Sequence, residues 1–330
     1  MIHVSTEKLI RRFKNKEAVL FLIFILLFAL MSLISPGRFL TWRNLQSMAY
    51  QLPEFGIFAI AMMVVIVSGG INLSITFTAA LASIVGGLVL STLSAAGTPS
   101  AIVIIAGIAT FLVVALACGA LNGLVVASIG VTPMLATLGT MTLFEGVCLN
   151  ITKGGAISGF PDAFLWFGGG TVLGVPFPLI VFILVVIATH YIMERSAFGL
   201  KAYMTGCNPT VTAYSGVNVK KILYGIYLFS GLLCALAGIL MSSRYNSAKE
   251  SYGSSYLMQG ISAAVLGGTD IAGGYGKVAG TVIAVMILQV ISTGLNIFGV
   301  NRYITNVIMG GILILVLALN LIGRGEKAIA

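Results

Sequence analysis

Residues 67–76 read VSGGINLSIT, a short polar segment with paired glycines that separates two long apolar runs. Each flanking run has the roughly 20 residues that a membrane-spanning helix needs. At membrane depth, backbone can leave the helical conformation only where protein or a water-filled cavity satisfies its polar groups. The segment therefore predicts a turn between two membrane helices, with Ser68, Asn72 and Ser74 as partners for backbone groups that the helices leave unpaired.

The composition indicates a membrane protein. The chain has 330 residues, of which 58% are hydrophobic and 8% charged, whereas a soluble domain carries about 25% charged residues. The apolar runs predict an all-α polytopic fold in a single domain, residues 1–330, with about ten transmembrane helices, some short or broken. The predicted spans are 18–36, 47–67, 72–92, 101–127, 133–152, 176–193, 222–242, 255–268, 278–297 and 304–322.

The distribution of basic residues predicts the orientation. With the N-terminus inside, twelve Lys and Arg residues fall on cytoplasmic segments and six on outer segments, and cytoplasmic loops carry the excess of these residues. We therefore expect both termini in the cytoplasm, with residues 1–17 as a basic tail, 153–175 as an outer loop and 194–221 as an inner loop. The first apolar run lacks a small-x-small cleavage site, so we expect an uncleaved helix.

Several classes of function are disfavoured. The net charge of +9 comes from scattered residues, which is unlike a nucleic-acid-binding stripe. The segment most like a nucleotide-binding loop, AGGYGKVAG at 272–280, has Ile271 in place of the first required glycine and Val278 in place of Ser or Thr. The cysteines and histidines have no metal-ligand spacing. We expect this chain to bind no nucleotide, metal or other cofactor.

The 194–221 loop contains GCNPTVTAYSGV at 206–217. Asn208 is a favourable N-cap, Pro209 suits the first helical position and Gly216 suits the C-terminal end. The sequence therefore predicts a short helix at about 209–215. Two interpretations are open: an ordinary capped surface helix, or a helix that docks in a groove of a cytoplasmic partner.

A second segment repeats part of the first. VLGGTDIA at 265–272 has the paired glycine and the following Asx residue of VSGGINLS at 67–74. Duplicated broken helices mark the pathway in many transporters, whereas shared turn chemistry gives the same likeness without duplication. Both interpretations are open.

Four ordered motifs resemble the permease subunits of ABC importers of the ribose/simple-sugar family. VIVSGGINLS resembles the family's SGGIDLSVGS, and TPMLATLGTM resembles its xPxxATLGT helix start. The 194–221 loop resembles its coupling loop, anchored on Gly206, Asn208 and Gly216. AVLGGTDIAGGYGKVAGT resembles its VVLGGTSLAGGxGxxxGT segment. The chain is identified by these motifs as a member of this binding-protein-dependent permease family.

The resemblance implies a lipid-embedded subunit of an ATP-driven importer, in a bacterial cytoplasmic membrane, for a monosaccharide or similar small polar solute. A separate ABC ATPase with two nucleotide sites would hold ATP and Mg²⁺, and an extracytoplasmic binding protein would deliver the solute. Two permease copies would pair, with a homodimer favoured and a heterodimer possible. The coupling residues that the resemblance implies are Gly206, Asn208, Pro209, Tyr214 and Gly216.

The chain departs from the family's pattern at several polar positions. Asn72 replaces an aspartate, Glu145 stands where an arginine is usual, and Gln259 lies in a stretch that lacks the usual acid. Glu54 adds an acid to the second span. The predicted solute pathway comprises Ser68, Asn72, Ser74, Glu145, Gln259 and Asn296.

Two acids leave alternatives open, because a carboxylate in the membrane costs at least a few kcal/mol unless it is paired, hydrated or protonated. Glu54 lies either at the outer interface near Arg43 or on the solute path. Glu145 either makes a structural hydrogen bond or lies on that path. An ion-coupled secondary transporter or facilitator is the alternative function, with Glu145 as its ion site, but it leaves the short inner helix unexplained. A membrane enzyme is disfavoured because the charged groups are few and dispersed.

Overall fold

In a computed structural model, which describes residues 16–301 and 303–315, helices follow the apolar runs of the sequence. The helices are α1 (Lys16–Ile34), α2 (Pro36–Phe39), α3 (Trp42–Val67), α4 (Ile75–Ala95), α5 (Ser100–Gly123), α6 (Pro133–Thr152), α7 (Asp162–Gly169), α8 (Phe177–His190), α9 (Ala197–Cys207), α10 (Pro209–Tyr214), α11 (Val219–Tyr245), α12 (Ser254–Leu266), α13 (Val278–Ile297) and α14 (Tyr303–Leu315). Two helices continue as π-helical segments, α5 into Leu124–Ile129 and α8 into Tyr191–Arg195.

Eight of the described helices are long and apolar enough to cross a membrane, namely α1, α3, α4, α5, α6, α8, α11 and α13. This confirms the all-α polytopic fold. The predicted span 255–268 is the 13-residue helix α12. The last predicted span contains α14, but its residues 316–322 lie outside the described residues, as do residues 1–15 of the predicted basic tail.

The 153–175 segment contains more structure than the predicted loop. It holds α7 and two short strands, β1 (Ile157–Ser158) and β2 (Thr171–Val172). β1 pairs antiparallel with β4 (Ser247–Ala248) after α11, and β2 pairs antiparallel with β3 (Val175–Pro176). The helix forms because Phe164 is fully buried against the bundle, so its apolar face gains tertiary packing that a glycine-rich sequence pattern does not reveal.

The core is arranged around α3. From Phe55 to Val67 this helix is buried on every side, and α8, α11, α12 and α13 pack around it. Its sequence there, FGIFAIAMMVVIV, is apolar around the whole circumference, as expected of a fully enclosed helix. The polar turn that follows α3 is therefore held inside the bundle by its neighbours.

Candidate functional site

The turn after α3 closes the helix with a glycine in the left-handed conformation. Gly69 has φ +87°, and its N–H donates to the Ile66 carbonyl at 2.9 Å. The Gly70 N–H donates to the Val65 carbonyl at 3.2 Å, and the Ser68 Oγ donates to the same carbonyl at 2.8 Å. This is a Schellman-type cap, which favours glycine at the left-handed position. The predicted turn is confirmed, and Ser68 partners backbone as expected.

A buried network of amides and hydroxyls surrounds the turn. Asn72 Oδ1 accepts from the backbone N–H and the Oγ of Ser74, at 3.1 and 2.8 Å, while Asn72 Nδ2 donates to Ser230 Oγ at 3.3 Å. Asn122 Nδ2 donates to Ser74 Oγ at 2.8 Å, and Thr140 Oγ1 donates to Asn122 Oδ1 at 2.6 Å. All five side chains are buried. Because they satisfy one another, the network offsets their desolvation and joins the turn to α5, α6 and α11.

The second glycine turn follows α12 and uses the same chemistry. Gly268 has φ +91° and donates its N–H to the Val265 carbonyl at 2.9 Å. Asp270 Oδ1 accepts from the Ala272 N–H at 2.9 Å, as Asn72 does from Ser74. The left-handed glycine stands two residues before the Asx side chain here and three before it in the first turn. This one-residue offset favours shared turn chemistry over a strict repeat.

The two glycine turns and the 194–221 loop meet at one point. The Gly274 N–H donates to the Val67 carbonyl at 2.8 Å. A methyl group on Gly206 would overlap the backbone of both Val67 and Gly274, and one on Gly273 would overlap Gly69. Only glycine permits such backbone contact. We call Gly69, Gly206, Gly273 and Gly274 the glycine junction.

The short helix predicted in the 194–221 loop is present as α10. The Asn208 side chain accepts from the N–H groups of Thr210 and Val211, at 3.0 Å each. Pro209 is the first helical residue, and Gly216 ends the helix with φ +80°. The predicted N-cap, first position and terminator are therefore confirmed.

Glu54 is paired inside the bundle. Its side chain is 1% exposed, and Oε1 lies 3.0 Å from Arg244 Nε, at ion-pair distance but without hydrogen-bond alignment. The hydroxyls of Tyr245 and Tyr256 donate to Oε2 at 3.3 and 3.5 Å. The interpretation that placed Glu54 at the interface near Arg43 is therefore wrong. The acid is accommodated because a cation and two hydroxyls replace its water.

Arg244 also lines a shallow depression above this cluster. The depression measures about 500 Å³. Its lining is polar and carries two guanidinium groups; the residues are Arg43, Gln46, Ser47, Tyr50, Gln51, Gly168, Gly169 and Arg244.

The other predicted pathway residues lie apart from the network. Glu145 on α6 and Gln259 on α12 are half-buried, and Asn296 near the end of α13 is exposed. Within residues 16–301 and 303–315, no hydrogen bond joins these three side chains to Asn72 or Ser74, and Glu145 makes no ion pair. The pathway role of all six residues stays a prediction. The described part of the chain has no group of three His, Cys, Asp or Glu that could hold a metal.

Sequence reasoning missed several of the residues that build this site. Asn122 was detectable, since it is a lone amide in the apolar run of α5, and buried amides in membrane helices usually bond to a neighbouring helix. Ser230, and Tyr203, whose hydroxyl donates to the Gly276 carbonyl at 2.7 Å, gave no such signal, because single hydroxyls are common in membrane helices and loops. Their partners lie more than 70 residues away in the sequence.

Comparison with known proteins gives several extensive matches. Residues 44–317 match the model of a family described as branched-chain amino acid transport system / permease component. The ribose import permease protein of Bacillus subtilis (strain 168) is 34% identical over 303 residues, 91% of each chain. The ribose import permease protein of Escherichia coli (strain K12) is 36% identical over 299 residues, 88% of this chain and 89% of the relative. The autoinducer 2 import system permease protein of Yersinia enterocolitica serotype O:8 is 38% identical over 267 residues, 79% of this chain and 78% of the relative.

Proposed function

This chain belongs to the family of transport-system permease components whose model its residues 44–317 match, and we propose that it carries a monosaccharide or similar small polar solute across the membrane in an ATP-driven importer. The observation that carries the proposal is the 34–36% identity to two ribose import permeases over about nine-tenths of the chain. Neutral amides and hydroxyls at the predicted pathway suit a sugar, which offers many hydroxyl donors and acceptors.

The family membership confirms three predictions from the sequence. The resemblance to ABC importer permeases is correct, and the chain is a translocation subunit and not an enzyme. It is a multi-pass protein of the cytoplasmic membrane, with eight described helices able to span it.

α10 is proposed as the docking helix for a separate ATPase, which would hold ATP and Mg²⁺ at two nucleotide sites. Tyr214 is 89% exposed and Val211 is 58% exposed, while Thr212 faces inward and is buried. Both helix ends are capped, so the apolar surface is preorganised and loses little conformational entropy on docking. Gly206, two residues before the N-cap Asn208, belongs to the glycine junction.

The remaining features of the proposal concern topology and assembly. We propose ten spans in a single domain with both termini in the cytoplasm, an extracytoplasmic binding protein that delivers the solute, and a second permease copy. A homodimer is favoured and a heterodimer is possible. On α6, Gly139 and Gly146 have nothing within 4 Å of an added methyl group, and such open small residues permit close packing against a helix of a second copy.

Transport by reconstituted proteoliposomes tests this proposal. The full chain is combined with the ATPase and the binding protein from the same host, and uptake of labelled monosaccharides is measured, beginning with D-ribose. We expect uptake only with all components and ATP–Mg²⁺. Uptake by the chain alone without nucleotide would contradict the proposal. Uptake driven by a proton gradient, and abolished in Glu145→Gln, would instead support the ion-coupled alternative.

A further inference from the structure

The 194–221 loop is bonded to the loop between α12 and α13, residues 267–277. The Tyr203 hydroxyl donates to the Gly276 carbonyl at 2.7 Å, and Cys207 Sγ lies 3.7 Å from the Gly274 carbonyl. Just before α9, Glu194 Oε1 accepts from the N–H of Val278 at 2.9 Å. These contacts lie along the length of α9, so this helix is held against the 267–277 loop and the start of α13.

α9 and α10 are joined without a flexible linker. Asn208 is the C-cap of α9 and the N-cap of α10. The other end of α9 is capped by Ser196, whose Oγ accepts from the Gly199 N–H at 3.2 Å. Because one residue ends the first helix and starts the second, a displacement of α10 has to move the C-terminal end of α9.

The 267–277 loop in turn contacts several membrane helices. It connects α12 to α13 directly, and its Gly274 N–H donates to the carbonyl of Val67 at the end of α3. The Lys277 ammonium lies 2.6 Å from a carboxylate oxygen of Glu17 on α1. That hydrogen bond raises the pKa of Lys277 above its ordinary value, so the lysine stays charged. A movement of this loop therefore acts on α1, α3, α12 and α13 together.

Tyr203 makes the shortest hydrogen bond between α9 and the 267–277 loop, at 2.7 Å. Burial raises the pKa of its hydroxyl to about 12, with smaller contributions from Glu194 and Tyr275, so the group remains a neutral donor at physiological pH. The contacts at the glycine junction consist of packed backbone. The Tyr203 hydroxyl, by contrast, can be removed without a cavity in the packing of the ring.

We propose that Tyr203 is a positioning residue that transmits the movement of α10 to the 267–277 loop. The inference rests on the proposed function, because it needs an ATPase that docks at α10. Tyr203 touches neither nucleotide nor solute in this proposal. It acts through the Gly276 carbonyl on the 267–277 loop, and through this loop on the end of α12 and the start of α13.

Hydrogen–deuterium exchange of the whole complex tests the proposal without knowledge of the solute. The tagged chain is purified with its ATPase, and exchange is compared between the nucleotide-free and the ATP–vanadate-trapped complex. In the wild type we expect nucleotide to change exchange at 206–216 and at 267–277. In Tyr203→Phe we expect the first change to remain and the second to fall about five-fold, the factor expected for one lost hydrogen bond.

Tyr191→Phe is the matched control. Tyr191 lies in the π-helical segment before α9 and is 67% exposed, and in the described part of the chain its hydroxyl makes no hydrogen bond. We expect this variant to behave as the wild type. Glu194→Ala, which removes the side-chain contact with the N–H of Val278 next to the loop, should also reduce the change at 267–277 and serves as the second variant.

The outcomes separate the two proposals. Equal nucleotide responses at 267–277 in the wild type and Tyr203→Phe would overturn the inference, as would loss of the ATPase from Tyr203→Phe, since Tyr203 would then belong to the docking surface. No nucleotide response at 206–216 in the wild-type complex would overturn the proposed function and, with it, this inference. A rise in the ATP hydrolysed per solute imported by Tyr203→Phe would further support transmission through this residue.

Discussion

The buried pair of Glu54 and Arg244 predicts an asymmetric response to mutation. Glu54 is 1% exposed and Arg244 is 21% exposed. Arg244→Met leaves a carboxylate with two tyrosine hydroxyls and almost no water, and loss of one partner of a buried pair costs about 3–5 kcal/mol. Glu54→Gln leaves a guanidinium that lines the depression beside Arg43 and can be hydrated there, so we expect a smaller cost, about 1–2 kcal/mol. The predicted order of stability is wild type, Glu54→Gln, Arg244→Met.

Denaturation of the purified protein in detergent measures this order. Arg43→Met is the control, because Arg43 lines the same depression but makes no ion pair among the described residues, and we expect a change within about 0.5 kcal/mol. The double variant Glu54→Gln with Arg244→Met should be more stable than Arg244→Met alone, since no buried charge is then unpaired. If Glu54→Gln were the more damaging single change, or if Arg43→Met cost as much as Arg244→Met, the reasoning from relative exposure would be refuted.

Three further predictions concern the other end of the bundle. Gly206→Ala forces a methyl group into packed backbone and should cost about 1–3 kcal/mol, whereas Gly37→Ala, which meets nothing within 4 Å, should not change the melting temperature. Asn72→Asp should change the affinity or rate of uptake if the predicted pathway role is correct, and unchanged transport kinetics would leave Asn72 as a structural residue of the turn. Tyr214→Ala should weaken ATPase binding by about 2 kcal/mol or more without loss of stability. Tyr303→Ala, at another highly exposed tyrosine, should leave ATPase binding unchanged in a co-purification or titration assay.

The parts of this molecule that could be predicted from sequence are those whose physics is local. The ends of α10 follow from Asn208, Pro209 and Gly216, because a capping bond joins residues two or three positions apart. The turn after α3 follows from its paired glycines for the same reason. The apolar runs likewise predicted the membrane helices, since length and composition decide whether a helix can span a membrane.

The pairings across the bundle could not be predicted in this way. Arg43 was considered as the neighbour of Glu54 because it is close in sequence, yet Arg244 of a distant helix is the partner. Hydropathy reports that a residue is buried, and it carries no information on which helices are adjacent. The contact of Tyr203 with Gly276 could not be predicted for the same reason, since it joins segments that are distant in the sequence. α7 was missed because its stability comes from the burial of Phe164 against the bundle, which a glycine-rich pattern does not reveal.

The glycine junction has a consequence for how such a protein can diversify. Its contacts are made by main-chain atoms of Gly69, Gly206, Gly273 and Gly274, so their geometry is independent of side-chain identity elsewhere in the bundle. Side chains on the predicted solute pathway can therefore differ while these backbone contacts are kept. The four positions themselves have no such freedom, because any side chain at Gly206 or Gly273 separates the segments that the junction holds together. The solute preference can therefore change without a change in the backbone contacts that join the 194–221 loop to the two glycine turns.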